Sequence, residues 1–219
     1  MPEVLRLGIR PCLAWASLPS MRGAFLNGEK MTRLCQLAEH YKSDKCPAIF
    51  HHYTPFYHSL LQNREINRIL EIGIGTPRCM DHVPGYKAGG SLRMWRDYYS
   101  TAEIVGLDND PEAMGYQEKN IRTYLCDQSS RSDLAATAFA LGGKFDLIID
   151  DGSHLTEHQA LTASVFIPML LSPKGIYIIE DVCFPKELYP LVPWPCEVHF
   201  FEPTKVADDC VFVIKGENL

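Results

Sequence analysis

The chain has 219 residues, of which 46% are hydrophobic and 22% charged, and a formal net charge of −6. That length fits one domain with a full apolar core, and the acidic balance leaves no basic cluster to neutralise a nucleic-acid backbone. No apolar run reaches the length needed to span a membrane. The eight cysteines, Cys12, Cys35, Cys46, Cys79, Cys126, Cys183, Cys196 and Cys210, form no C-x-x-C pair and no zinc-like spacing. Several lie in apolar runs, where cysteine packs as a small core residue. They read as reduced thiols in a cytoplasmic protein.

Residues 1–29 read as an N-terminal arm or an oligomer contact. The stretch "CLAWASLP" follows Arg6, Arg10 and Pro11 and develops no long hydrophobic region of the signal-peptide kind. From residue 30 to 219 the pattern is that of a single α/β domain. Apolar spacing through Met31, Leu34, Leu37 and Ala38 predicts a helix over 30–41, and a second is expected over 53–62. Five short apolar, β-rich runs follow: "RILEIGIG" (68–75), "EIVGLD" (103–108), "IRTYLCD" (121–127), "FDLIIDD" (145–151) and "GIYIIED" (175–181). Helix-like segments lie between them at 91–99, 111–120, 132–141 and 156–171. This alternation predicts a parallel sheet covered on both faces. The tail runs 197–201 and 210–216 leave no room for an intervening helix and should pair antiparallel.

Four of the five parallel strands end in acids, and ligands of open α/β sheets bind beyond the carboxyl ends of the strands. In "EIGIGT", Gly73 and Gly75 permit a tight turn and a close backbone approach. A plain strand-to-loop turn would use the same glycines. Arg78 stands where a dinucleotide site wants its third glycine. Glu71 suits a cationic ligand better than a phosphate. Asp108 is placed to accept from two ribose hydroxyls and Asp127 from an adenine amine. Together they describe a pocket for an adenosine with a positively charged amino-acid tail. Gly90 and Ser91 could set a helix N-terminus toward the tail carboxylate, or form an ordinary cap.

These features resemble the class I S-adenosylmethionine-dependent methyltransferases over roughly residues 34–215. More narrowly, "YKSDK", "HHYTPFY", "GGSLRMWRDYY", "IIDDGSH" and "IIEDV" resemble the metal-dependent sugar O-methyltransferases of macrolide and related natural-product pathways. The resemblance implies a Rossmann-like fold with a mostly parallel seven-stranded sheet and an antiparallel C-terminal hairpin, built on residues 30–219. It implies S-adenosylmethionine as cofactor, magnesium at Asp151, Glu180 and Asp181, and His154 as general base. It also brings Tyr53 and Thr54 over the cofactor, and suggests more than one subunit.

The chemistry is consistent with that assignment. Adjacent strand ends lie about 5 Å apart, so acids crowded there resist ionisation unless a hard divalent cation joins them. Such an ion would bind two vicinal hydroxyls, and an imidazole is an apt proton acceptor. Asp150, on the opposite side of the strand, reads as support or as a cofactor-side residue. His154 could instead be a loop residue near a helix start. His158 reads as a solvated helix residue, with an H-x-x-x-H metal pair as the alternative. Thr156 and Gln159 read as a capping box. Trp95, Tyr98 and Tyr99 read as core. Phe184, Tyr189 and Trp194, in the loop 183–195, are candidates to contact a substrate ring. The substrate expected is a small hydroxylated molecule, with no nucleic-acid or membrane partner. A catechol-type diol and a non-catalytic methyltransferase-fold subunit are the alternatives.

Overall fold

The computed structural model describes residues 31–114, 118–201 and 210–219. The N-terminal arm expected over residues 1–29 lies outside them, as does Cys12. The first helix, α1 (Arg33–Tyr41), starts later than its apolar spacing suggests. Thr32 is its N-cap and accepts from the Cys35 amide at 3.2 Å, which fixes the first turn. Lys42 ends it in the left-handed region at φ 59°. Helix α2 (Tyr53–Leu61) follows, then β1 (Arg68–Ile72), α3 (Gly90–Tyr98), β2 (Glu103–Asp108), β3 (Ile121–Leu125), α4 (Arg131–Leu141), β4 (Phe145–Asp150), α5 (Thr156–Leu170), β5 (Leu171–Ile179), α6 (Pro185–Leu188), β6 (Cys196–Phe200) and β7 (Cys210–Lys215).

The seven strands form one sheet in the order β3-β2-β1-β4-β5-β7-β6. Strands β1 to β5 pair in parallel, and β7 inserts antiparallel between β5 and β6. The expected seven-stranded architecture and its antiparallel C-terminal pair are therefore present. Alternation along the strands divides the core in two. Leu70, Ile72, Val105, Ile148, Tyr177 and Ile179 pack on one face with Leu134 of α4 and Phe166 of α5. Ile69, Ile104, Leu147, Ile149 and Ile178 pack on the other with Leu34, Tyr57, Leu61 and Trp95 from α1 to α3. Each fully buried side chain of this size contributes about 1.5–3 kcal/mol. Trp95 is fully buried, as expected, while Tyr98 and Tyr99 sit at the edge of the same core.

Two local expectations fail. Among the described residues of the helix expected over 111–120 there is only a 3-10 turn, Pro111–Ala113. Asp110 caps that turn through its own side chain, and Met114 then leaves it in extended conformation at φ −86°, ψ 168°. The capping box at the start of α5 is absent. Leu155 is the N-cap and makes no side-chain cap bond, while Gln159 turns inward and donates to the Glu180 carbonyl at 2.9 Å.

Cys35, Cys46, Cys79, Cys126, Cys183, Cys196 and Cys210 are free thiols. Among the described residues, no helix is long and apolar enough to cross a membrane.

Candidate active site

The turn after β1 is held by its neighbours. Gly73 adopts φ +88° and Gly75 φ +74°, a region that glycine enters without steric cost. At Gly73 space is also decisive, because an added Cβ would lie 1.9 Å from the Asp151 carbonyl oxygen. Asp108, at the end of β2, accepts from the Ile74 and Gly75 amides through Oδ2, at 2.9 and 3.2 Å, and from the Asp110 amide through Oδ1. It thus braces the glycine loop as well as facing the ligand space. Tyr86, which the sequence reading passed over, donates to the Ile74 carbonyl at 2.8 Å and closes the loop's far side.

This loop borders a cavity of about 670 Å³, a size typical of small-molecule sites. Gly73, Gly75, Ser91, Asp108 and Asp127 line one part of it; Asp151, His154 and Asp181 line another. Four candidates stand behind this surface instead. Glu71, Asp150 and Glu180 are almost wholly buried, and so is Tyr53. Phe50, Met80 and His82 provide an apolar wall, with the Phe50 and His82 rings 5.2 Å apart. Phe184, Tyr189 and Trp194, the expected ring contacts, are not part of this lining. Tyr189 and Trp194 pack against the core, and Phe184 is exposed away from the lining.

The acidic end is organised by Lys45, whose side chain is only 1% exposed. Its ammonium donates to Asp151 Oδ2, to Glu180 Oε2 at 2.5 Å, and pairs with Glu71 Oε1 at 3.5 Å. Burial alone would lower the Lys45 ammonium, but the charges of Asp151, Glu180 and Glu71 hold it well above its ordinary range. Tyr57 donates to the second Glu180 oxygen at 2.8 Å. Burial drives the Glu180 carboxyl up despite the nearby ammonium. Glu180, expected among the metal ligands, is thus engaged by protein on both oxygens. Lys45 lies inside the quoted "YKSDK", but its partners are remote in sequence and nothing local marks it.

Asp181 accepts from the Tyr53 hydroxyl, which binds Tyr53 to the acidic end. Its Oδ2 lies 3.7 Å from His51 Nε2 and 3.9 Å from His154 Nε2. Burial and the neighbouring Asp151 charge push the Asp181 carboxyl up to about 6. One donor atom each from Asp151, His154 and Asp181 lie within 4.8 Å of one another. His154 and Asp181 both hold positive φ, at 57° and 50°. Strain of this kind in non-glycine residues collects at functional sites. His154 Nδ1 is buried and has no hydrogen-bond partner among the described residues. The oxygen-rich set and its mutual repulsion fit a hard divalent cation.

Asp150 serves the architecture. Gln128 Nε2 donates to its Oδ1 at 2.5 Å and Tyr177 donates to Oδ2 at 3.3 Å. Gln128 Oε1 in turn accepts from the Ser153 amide at 3.0 Å, which fixes the loop carrying His154. Burial raises the Asp150 carboxyl to about 7. His158 bonds Ser153 Oγ at 2.8 Å. His154 precedes α5, so the two histidines do not share a helix face and His158 stands outside the acid cluster.

No family model matches the chain. Demethylmacrocin O-methyltransferase of Streptomyces fradiae is 36% identical to it over 155 residues, 68% of this chain and 36% of that protein. Mycinamicin VI 2''-O-methyltransferase of Micromonospora griseorubida is 34% identical over 162 residues, 71% of this chain and 37% of that protein. The chain therefore spans little more than a third of the length of the curated relatives it matches. Among solved structures, the MycE methyltransferase from the mycinamycin biosynthetic pathway, in complex with Mg, SAH and mycinamycin VI, aligns with a TM-score of 0.65 at 27% identity. The alignment covers 86% of this chain and 56% of that one. An O-methyltransferase from Bacillus cereus in complex with SAH, 14% identical, aligns at 0.53 over 89% of this chain and 94% of that one, a likeness of fold alone. By strand order, glycine loop and similarity to these O-methyltransferases, the chain belongs to the class I S-adenosylmethionine-dependent methyltransferases.

Proposed function

We propose that the domain transfers a methyl group from S-adenosylmethionine to a hydroxyl of a sugar, or of another vicinal diol on a small molecule, with the help of a hard divalent cation. The supporting observation is that a single cavity contains both the Gly73–Gly75 loop with its strand-end acids and the Asp151, His154 and Asp181 cluster. The names of two further relatives, 8-demethyl-8-alpha-L-rhamnosyl tetracenomycin-C 2'-O-methyltransferase and L-olivosyl-oleandolide 3-O-methyltransferase, support a sugar acceptor.

In this reading Asp108 and Asp127 take the ribose and adenine of the cofactor, and the α3 N-terminus at Ser91 faces its amino-acid carboxylate. Asp151, Glu180 and Asp181 would hold the cation, which would supply Lewis acidity toward the acceptor's hydroxyls. His154 accepts the proton of the attacking hydroxyl. The acceptor oxygen bonds to the methyl carbon as the carbon–sulfur bond breaks. That electron pair neutralises the sulfonium to a thioether, and the proton stays on the imidazole until solvent removes it. Tyr53 holds the Asp181 carboxylate, and Gln128 holds the loop that carries His154, so both acceptor and base meet the cofactor in fixed orientation.

Calorimetry with S-adenosylhomocysteine and with NAD tests the cofactor assignment directly. S-adenosylhomocysteine binding without NAD binding is expected; the reverse would remove the proposal. Methyl transfer to a panel of deoxysugar glycosides and catechols then separates sugar from aromatic acceptors.

A further inference from the structure

Strand β5 leaves both of its neighbours after Ile179, the last residue paired with β4 and with β7. Glu180 and Asp181 therefore sit on a turn beyond the sheet. Its backbone is tied at each end: the Glu180 amide donates to the Asp150 carbonyl at 2.9 Å, and the Val182 amide to the Cys210 carbonyl at 3.0 Å. Asp181, between them, holds φ 50°. A non-glycine residue persists in that region only where its surroundings determine it. The Glu180 carbonyl lies outside the strand ladder, and a side chain reaches it: Gln159 Nε2 donates to it at 2.9 Å.

Gln159 belongs to α5, and its own amide donates to the carbonyl of the N-cap Leu155 at 2.9 Å. Leu155 directly follows His154, whose Nε2 stands 3.9 Å from Asp181 Oδ2. One side chain thus ties the helix that begins beside the imidazole to the backbone of the turn that carries the acids. Gln159 is buried, and its Oε1 has no hydrogen-bond partner among the described residues. A buried amide oxygen without a partner costs free energy, so packing alone would be better served by an apolar residue. We propose that Gln159 is a positioning residue, which fixes the Glu180–Asp181 turn relative to the His154 loop and so keeps carboxylates and imidazole at the spacing that the cation and the acceptor need. This inference rests on the metal-dependent reading above.

The test is titration calorimetry of cation-stripped protein with Mg²⁺ and, separately, with S-adenosylhomocysteine. The chains are the parent, Gln159→Met, Gln159→Asn and Thr162→Val, each checked for folding by circular dichroism. Thr162 is the control: it is fully buried on the same helix and donates to the His158 carbonyl at 2.9 Å, within the helix itself. Gln159→Met keeps the bulk without the donor and should weaken Mg²⁺ binding about tenfold or more. Its affinity for S-adenosylhomocysteine should stay within about threefold of the parent, a split that a merely loosened fold would not produce. Thr162→Val should leave both affinities within about threefold. A folded Gln159→Met with unchanged Mg²⁺ affinity overturns the inference. So does a parallel loss of both ligands, or an equal Mg²⁺ loss in Thr162→Val. If Gln159→Met does not fold, Gln159→Asn, whose amide is too short to reach the Glu180 carbonyl, decides by the same criteria. Failure of both to fold makes Gln159 a structural residue and overturns the inference too. A parent chain that binds S-adenosylhomocysteine but not Mg²⁺ removes the metal-dependent reading as well; Mg²⁺ binding by the parent with unchanged affinity in Gln159→Met removes this inference alone.

Discussion

Gly73 and Asp151 meet backbone to backbone: a Cβ on Gly73 would lie 1.9 Å from the Asp151 carbonyl oxygen. The contact follows from the sheet, because β1 and β4 pair in register with Ile72 opposite Asp150. The glycine loop and the acid-bearing loop after β4 are therefore one rigid unit. Gly73→Ala should cost several kcal/mol in urea unfolding, since left-handed backbone adds about 1–2 kcal/mol and overpacking about 1–3 kcal/mol. Gly85→Ala is the comparison, because Gly85 has φ +77° but nothing within 4 Å of the added carbon. It should show only the backbone cost. Equal losses in the two variants would contradict the close approach as the reason for glycine at position 73.

His154 is placed as the proton acceptor. Because it holds φ +57°, asparagine is the suitable replacement, being tolerant of left-handed backbone. His154→Asn should bind S-adenosylhomocysteine like the parent and lose about 10²–10⁴-fold in kcat. Turnover within a few-fold of the parent would remove the assignment.

Gln128 links Asp150 to the Ser153 amide. Replacing it by leucine leaves a buried carboxyl short of a donor and an amide short of an acceptor. Thermal and urea unfolding should show a loss of about 1–3 kcal/mol. A neutral result would mean that the loop is positioned by other contacts.

Glu71 gives the ligand-free protein a defined pH dependence. Burial raises its carboxyl from an ordinary 4.5 to about 7, with Lys45 acting the other way. Between those values the folded chain keeps a proton that the unfolded chain has released. Stability from this group therefore falls as pH rises through that window, by at most about 1.4 kcal/mol per pH unit. Denaturation across pH 4.5 to 7 should show a flatter decline in Glu71→Gln. An unchanged slope would show that Glu71 is ionised in the folded protein.

The strands were legible because their apolar runs are continuous, as a sheet buried on both faces requires. Their acidic ends lie toward one rim, and Asp108, Asp127, Asp151, His154 and Asp181 line one cavity there. The helix expected over 111–120 misled because Pro111 and Glu112 are good first-turn residues, and nothing in the periodicity shows that Asp110 closes only one turn. The partner of Glu180 could not be read from pattern alone. It is Lys45, which lies 135 residues from Glu180 and 106 from Asp151. A contact over that distance is created by the sheet order, and no local spacing records it. Gln128 escaped notice, and Gln159 was assigned to a cap, for the same reason, since their partners are brought to them by neighbouring strands.

Methyl transfer should depend on the acid cluster and on a divalent cation. The decisive measurement follows transfer of labelled methyl from S-adenosylmethionine to a vicinal-diol sugar glycoside, first with EDTA-treated protein and then after Mg²⁺ is restored. Transfer should be lost after chelation, recover on adding Mg²⁺, and not recover in Asp181→Asn. Full transfer by the chelated protein, or by Asp181→Asn, would contradict it.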